Sequence, residues 1–252
     1  MGKKDNDGSN HNRAGPVAGK CPALPKNPIG MADTPVARAL GRRLEAPAAE
    51  RNKNFILEQL RRHLPPGDAP VRVLSVAEGT GTHASYFVLE EPRLYVLPTD
   101  PSEESRESID ARRADLPDND RLRLGPATNL DVLDDAHWAA LGTGTWDLIT
   151  AINVLHISPQ ACTGALFKGA AGALHEGGTA LIYGPFLVDG RPTTESNAEF
   201  DVKLRAMDPR FGLRDVAAVT AAAATFGFVL REQTPMPANN FVLAFTKASH
   251  AA

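Results

Sequence analysis

Val71-Arg72-Val73-Leu74-Ser75-Val76-Ala77-Glu78-Gly79-Thr80-Gly81-Thr82-His83 is the stretch from which the fold of this 252-residue chain is read. Val71 to Ala77 is short, mostly apolar and rich in β-branched residues, as a strand buried within a sheet is. The glycines at 79 and 81 permit a tight turn, and Ala84 to Glu90 continues as a helix. Strand, glycine turn and helix in that order open a parallel α/β unit.

The pattern extends both ways. Upstream, Phe55, Ile56, Leu57, Leu60 and Leu64 recur at helical spacing over Ala48 to Leu64, and Pro65-Pro66-Gly67 stops the run. Downstream, a strand at Leu94 to Leu97 runs into Thr99-Asp100-Pro101, and Ser102 caps a helix with Glu103 and Glu104 in its first turn. A short strand is predicted around Leu122 to Leu124, then a turn at Gly125-Pro126, a helix over Asp134 to Leu141 and a central strand over Trp146 to Ile152. Ser158-Pro159 predicts a helix start, with Gly177-Gly178 ending that helix before a strand at Thr179 to Tyr183. Pro185 to Gly212 is a long polar insertion of the kind that forms lids, although Phe200, Leu204 and Met207 are spaced as on a helix. A helix over Arg214 to Phe226, closed by Gly227, precedes strands at Phe228 to Gln233 and Phe241 to Thr246, joined through Pro235-Met236-Pro237. The short link makes the last strand antiparallel. The expected architecture is a doubly wound seven-stranded α/β sheet with that antiparallel ending, which fits a class I methyltransferase better than a dinucleotide-binding domain.

At 26.9 kDa, with 42% hydrophobic and 23% charged residues, the chain suits one soluble catalytic domain. It has no run of about 18 apolar residues and a polar Met1-Gly2-Lys3-Lys4-Asp5 start with no apolar segment behind it. Those features argue against a membrane partner or secretion. Cys21 and Cys162 are too few for a disulfide scaffold or a paired-cysteine metal site, so a cytoplasmic protein without a metal is expected. The net charge of −3 is uneven: residues 1–43 hold eight Lys/Arg against three Asp. The positives are scattered without interleaved aromatics, which disfavours nucleic acid. Residues 1–43 are therefore expected to be a flexible basic Pro/Gly-rich arm and 44–252 the domain. The oligomeric state is left open.

Ligands of open α/β sheets sit beyond the carboxyl ends of the strands. Gly79-Thr80-Gly81 brings backbone close to a ligand there, and Asp100, about twenty residues on at the end of the second strand, is placed to accept both ribose hydroxyls of an adenosine. Leu130-Asp131-Val132 lies where an adenine would, with apolar flanks and a carboxylate, although Asp131 also suits a helix cap. The third position of a GxGxxG pattern is Ala84, and nothing else speaks for nicotinamide. S-adenosylmethionine (SAM), which has no phosphate, is the cofactor expected.

Glu50-Arg51-Asn52-Lys53, Gly79-Thr80-Gly81 with His83-Ala84, Thr99-Asp100-Pro101, Asn153 to Pro159, Tyr183-Gly184-Pro185-Phe186, Asp189-Gly190-Arg191, Thr194 to Asn197 and Met236 to Asn240 together resemble the methyltransferase-like 26 family, a branch of the class I SAM-dependent methyltransferases. The resemblance spans roughly Glu45 to Lys247. It implies a class I fold and SAM binding but supplies no substrate. Glu78, Gly79, Thr80, Gly81, His83, Asp100, Leu130, Asp131, Val132 and Asn153 are the residues expected around the cofactor. The chain departs from the pattern at Ser75, where an acid is customary, and at Glu78, where a small residue is. Glu78 either replaces the lost acid or obstructs the pocket.

Methyl transfer is an in-line displacement that depends mainly on holding the acceptor behind the methyl group. His156 is the candidate base, its ordinary pKa lying near working pH, and Tyr183 and Asn197 are the other candidate catalytic residues. Arg51, Asn52, Pro185, Phe186 and Asn240 are expected on the substrate side. The predicted function is SAM-dependent methylation of a small molecule. The alternative is a SAM-fold protein that does not methylate, a regulatory binding module or an enzyme using the pocket for other chemistry.

Overall fold

A computed structural model describes residues 43–249. The expected arm thus lies outside the described residues except for Arg43, which pairs with Asp115. Helix α1 (Pro47–Arg62) precedes β1 (Val71–Val76), followed by α2 (Thr82–Glu90), β2 (Leu94–Pro98), α3 (Glu103–Ala114), α4 (Asp118–Arg121), α5 (Asp135–Ala140) and β3 (Trp146–Ile152). After a 3₁₀ turn at Leu155–Ile157 come α6 (Ala161–Ala173), β4 (Leu174–Gly184), β5 (Phe186–Val188), β6 (Arg191–Pro192), α7 (Glu195–Met207), β7 (Arg214–Asp215), α8 (Val216–Ala224), β8 (Phe228–Met236) and β9 (Asn240–Lys247).

The main sheet has six strands in the order β2-β1-β3-β4-β9-β8. β1 to β4 run parallel, and β9 is antiparallel to both neighbours, as its short link to β8 requires. Adjacent residues of one strand enter different cores. Val73, Leu148 and Leu181 pack with Leu57, Leu60 and Phe87 of α1 and α2, whereas Leu74, Ile149 and Ile182 pack with Leu166, Phe167, Val219 and Ala223 of α6 and α8. Helices therefore cover both faces.

Three expectations need correction. The seventh strand at Leu122 to Leu124 is reduced to isolated bridges, Val96 with Leu124 and Thr99 with Thr128. α4 takes up the preceding residues, Pro126 has no N–H to extend a ladder, and Arg113 Nε claims the Leu124 carbonyl at 2.5 Å. Ser158 does not cap a helix: its hydroxyl donates back to Leu155 O at 3.1 Å, and α6 starts at Ala161. Gly177-Gly178 does not end α6, which stops at Ala173; both lie within β4, where the pairing with β3 shifts between Trp146 and Leu148.

The insertion carries a small second sheet, β6-β5-β7, and α7. On α7, Leu204 is buried with Phe211 and Leu213, while Met207 is exposed. Among the described residues no helix is long and apolar enough to cross a membrane, and no group of three or more His, Cys, Asp or Glu is placed to hold a metal.

Candidate active site

The carboxyl ends of β1, β2, β3 and β4 share one edge, and chain order reverses between β1 and β3, the position where such sheets bind ligands. Ala77 leaves β1 in the left-handed region at φ 52, a strained conformation for a residue with a Cβ, and Glu78 after it is buried. Its Oε1 accepts the Ala84 amide at 2.7 Å and its Oε2 accepts the Ser75 hydroxyl. Thr150 Oγ1 donates in turn to Ser75 Oγ at 3.2 Å. The carboxylate thus serves N–H groups at the start of α2 that no helical carbonyl reaches. Burial still pushes Glu78 up to about 7; the Ser75 and Ala84 bonds oppose that rise and the neighbouring Asp100 adds to it.

Asp100 is fully buried at the end of β2. Its Oδ2 accepts the Gly79 amide and its Oδ1 the Ser102 amide, each at 2.9 Å. Burial raises its pKa, against the pull of these bonds. Neither Glu78 nor Asp100 forms an ion pair among the described residues.

The two glycines of the turn do different work. A Cβ on Gly79 would meet nothing within 4 Å, so open space lies beside it, whereas a Cβ on Gly81 would fall 2.9 Å from Ile109 Cα. Gly81 therefore permits close packing of α3. Thr80, between them, has its carbonyl held by Ser108 Oγ at 2.9 Å and Arg112 Nε at 3.0 Å. The same two side chains clasp Leu44, Ser108 Oγ accepting its N–H at 2.8 Å and Arg112 Nη2 donating to its carbonyl at 2.7 Å. Nothing in the local sequence signals this clasp, because it joins residues far apart in the chain.

On the expected adenine side, Leu130 and Val132 are packed in the core with Trp138 and Leu141. Asp131 Oδ1 accepts the Leu133 amide at 3.0 Å, and Asp134 is the residue that caps α5.

At the ends of β3 and β4, Asn153 is half-buried with φ 58, and its amide donates to Tyr183 O at 2.8 Å. His156 is buried in the 3₁₀ turn, its ring edge-on to Phe200 with centroids 5.6 Å apart. Its pKa does not stay near working pH, where the ordinary value for an imidazole places it. Burial, helped by the charge of Arg214, pushes it down to about 3, so His156 is a neutral imidazole at physiological pH. Asn52 Oδ1 lies 2.8 Å from His83 Nε2, and burial raises the Tyr183 pKa while the neighbouring Asn52 opposes that rise.

Asn197 spends its amide on Thr193 Oγ1 and on Asn239 O, both at 3.0 Å. It ties α7 to the corner between β8 and β9, where Ala238 and Asn239 both have φ 58. Asn240 closes the same corner by donating to Pro237 O and Ala238 O. Pro185 and Phe186 are buried, Phe186 within the core, and Arg51 is exposed on α1. Sequence reasoning missed Arg214. Its Nη1 donates to Gly212 O at 2.8 Å and its Nη2 to Arg210 O at 3.1 Å and to Ser158 O; its Nε has no hydrogen-bond partner among the described residues.

The sheet order, the antiparallel β9 and the glycine turn at the switch point define the fold of the SAM-dependent methyltransferases, and solved structures agree. An O-methyltransferase family protein from Burkholderia thailandensis superposes with a TM-score of 0.63 at 16% identity, over 81% of this chain and 59% of that one. This chain therefore spans less than two thirds of that protein. A putative sarcosine dimethylglycine methyltransferase from Galdieria sulphuraria gives 0.59 at 15% identity over 80% and 87%. Geranyl diphosphate methyltransferase, solved with GPP and sinefungin, gives 0.59 at 12% over 79% and 77%. Residues 43–247 match the family described as "Protein of unknown function (DUF938)", and the chain belongs to that family.

Proposed function

We propose that this protein is a SAM-dependent methyltransferase acting on a small molecule, of the methyltransferase-like 26 branch. The observation that carries the reading is the pair of buried carboxylates, Glu78 and Asp100, flanking Gly79 at the topological switch point without an ion-pair partner among the described residues. Buried charge without an ion pair is costly; the charge of Arg106 offsets part of that cost at Asp100, and a cationic ligand lowers it further. The open space beside Gly79 leaves room for one. When bound, SAM supplies an electrophilic methyl group on a sulfonium, whose C–S electron pair stays with sulfur as an acceptor lone pair forms the new bond. Asp100 fixes the turn through the Gly79 and Ser102 amides and keeps a lone pair on each oxygen for a ribose diol. Glu78 stands in for the acid missing at Ser75, to which it is hydrogen-bonded. His156, its pKa pushed down to about 3 and its ring buried against Phe200, is too weak a base to draw a proton from an acceptor at working pH.

Calorimetric titration with SAM and S-adenosylhomocysteine tests this reading. Binding of both, with SAM favoured by an ionised Glu78, is expected. A protein that binds neither, and whose Glu78→Ser variant gains affinity, would leave the fold without methyltransferase function.

A further inference from the structure

His156 and Asn153 converge on Gly184, at the carboxyl ends of β3 and β4. A Cβ on Gly184 would lie 3.3 Å from His156 Nδ1, 3.6 Å from His156 Cε1 and 3.7 Å from Asn153 Oδ1, and beyond the glycine's chain neighbours nothing else comes closer. The glycine thus keeps an atom-sized notch between an imidazole and an amide. Neither side chain hydrogen-bonds to a described residue. Among described residues that are not exposed, the polar side-chain atoms both unpaired and sealed from solvent are Thr163 Oγ1 and Arg214 Nε. The unpaired nitrogens of His156 and the Asn153 amide therefore reach solvent, although His156 is only 4% exposed. Polar groups so deeply set are completed by water or by a ligand.

β3 lies between β1 and β4, so the notch stands one to two strand spacings, about 5–10 Å, from Glu78 at the end of β1. The charge behind it is positive. Gly212 N donates to His156 O at 3.0 Å and Arg214 Nη1 to Gly212 O at 2.8 Å, which brings the guanidinium up to the turn that carries His156. Burial and that charge hold the imidazole neutral. A neutral imidazole carries its proton on either nitrogen, and an unpaired amide turns either end inward, so both groups have an N–H to offer the notch. Neither takes up a proton at working pH.

Resting on the methyltransferase reading above, we propose that the notch binds an acceptor already ionised on oxygen, a carboxylate or an acidic phenol, with His156 and Asn153 as its hydrogen-bond donors and Gly184 as the residue that makes room. An oxyanion lone pair forms the new O–C bond as the C–S bond breaks and its electron pair stays with sulfur. No proton moves, so no base is needed. An ammonium or an alcohol would have to shed a proton first, and the ammonium would also meet the Arg214 charge.

Two measurements test this. In full-length protein labelled with ¹⁵N-histidine and saturated with S-adenosylhomocysteine, the His156 signals are assigned by their loss in His156→Gln. Benzoate is expected to shift them saturably, and benzylamine and benzyl alcohol to bind at least tenfold more weakly. Gly184→Ala, whose Cβ fills the notch, is expected to weaken benzoate at least tenfold while changing S-adenosylhomocysteine affinity less than twofold. Asn153→Gly keeps the left-handed backbone of that position, φ 58, deletes the amide and is expected to weaken benzoate at least threefold, which gives a second reading independent of the first variant's folding. No shift with benzoate, benzoate affinity unchanged in either folded variant, or equal binding of the amine or the alcohol overturns the proposal. The second measurement follows S-adenosylhomocysteine formation from SAM with benzoate, 4-nitrophenol, benzylamine and benzyl alcohol at neutral pH. Turnover of at least one of the first two, and of neither of the last two, is expected; turnover of the amine or the alcohol, or of no probe by a protein that binds SAM, overturns the assignment. Failure to bind SAM or S-adenosylhomocysteine sinks the methyltransferase reading, while benzoate titration of the unliganded protein still reports whether the notch takes an oxyanion.

Discussion

The glycine turn and the insertion both hold their loops by aiming buried charged side chains at main-chain atoms, with opposite signs. Beneath the turn, Glu78 and Asp100 accept amides of Ala84, Gly79 and Ser102. In the insertion, Arg214 donates to the carbonyls of Ser158, Arg210 and Gly212. None of Glu78, Asp100 and Arg214 makes an ion pair among the described residues, although Arg205–Asp201 and Arg210–Asp208 pair on the insertion's surface. The difference lies in what more each can do. The carboxylates flank a glycine with open space beside it, whereas the guanidinium is enclosed and leaves its Nε unpartnered. Buried anions at the turn are thus suited to a ligand, and the buried cation to architecture.

Arg214→Met probes the architectural side and has the largest expected effect. It strands three carbonyls that a buried cation now serves, and a loss of about 3 kcal/mol in urea denaturation is expected. SAM affinity in the folded fraction should stay within twofold. A variant as stable as wild type would show that the buried guanidinium costs as much as its bonds return.

Glu78→Gln probes the other side. The folded-state pKa of Glu78, about 7, lies above the 4.5 of a free glutamate side chain. The stability it contributes is present below pH 4.5 and is lost as pH rises through 7, on the order of 3 kcal/mol at most. His83 and His156, pushed down to about 4 and about 3, act in the opposite sense and lower stability as pH falls below 6.5. Between pH 4.5 and 6.5 the two histidines outweigh the one carboxyl, so chemical denaturation should show stability rising with pH in wild type and rising more steeply in Glu78→Gln, the difference between the two growing up to about pH 7. The same variant should weaken SAM more than S-adenosylhomocysteine; equal weakening would move Glu78 to the amino-acid end the two compounds share.

Asp100→Ala releases the Gly79 and Ser102 amides together, and charge-assisted bonds of about 1.5–3 kcal/mol imply at least tenfold weaker SAM binding by calorimetry. Unchanged affinity in a folded variant would take Asp100 out of the site. The smallest effect is expected at Asn197. Alanine there should cost about 1 kcal/mol in stability and leave SAM affinity unaltered, because its amide serves Thr193 and Asn239 and lies on the insertion side of the comparison.

Much of the turn side was legible in the sequence. The twenty-residue spacing from the glycines to Asp100, the β-branched strand before them and the short link ahead of β9 are local signals, and the structure places all three as read. The placement of Glu78 was not legible, because it depends on Ala77 taking a left-handed backbone, which an alanine does not announce. Leu122 to Leu124 has strand-like residues, but only Arg123 O pairs with β2, through the Val96 amide, and the Leu124 carbonyl is taken by Arg113. Gly177-Gly178 looked like a helix stop because glycines punctuate helices and strand irregularities alike. The burial of His156 and Arg214 depends on α7 and the second sheet folding over them, and no local pattern encodes that.

The clasp on Leu44 gives the molecule a proximal and a distal end. Whatever precedes Arg43 joins the domain beside the glycine turn, since Ser108 and Arg112 grip Leu44 and Thr80 together. The chain after Lys247 departs from the far edge, where Lys247 Nζ reaches Leu174 O at 2.8 Å, at the start of β4. A dye or peptide tethered by a short flexible link just before Arg43 is therefore held near the turn at an effective concentration on the order of millimolar, within range to sense or compete for what binds there. The same group attached after Lys247 would be a silent control on the identical protein.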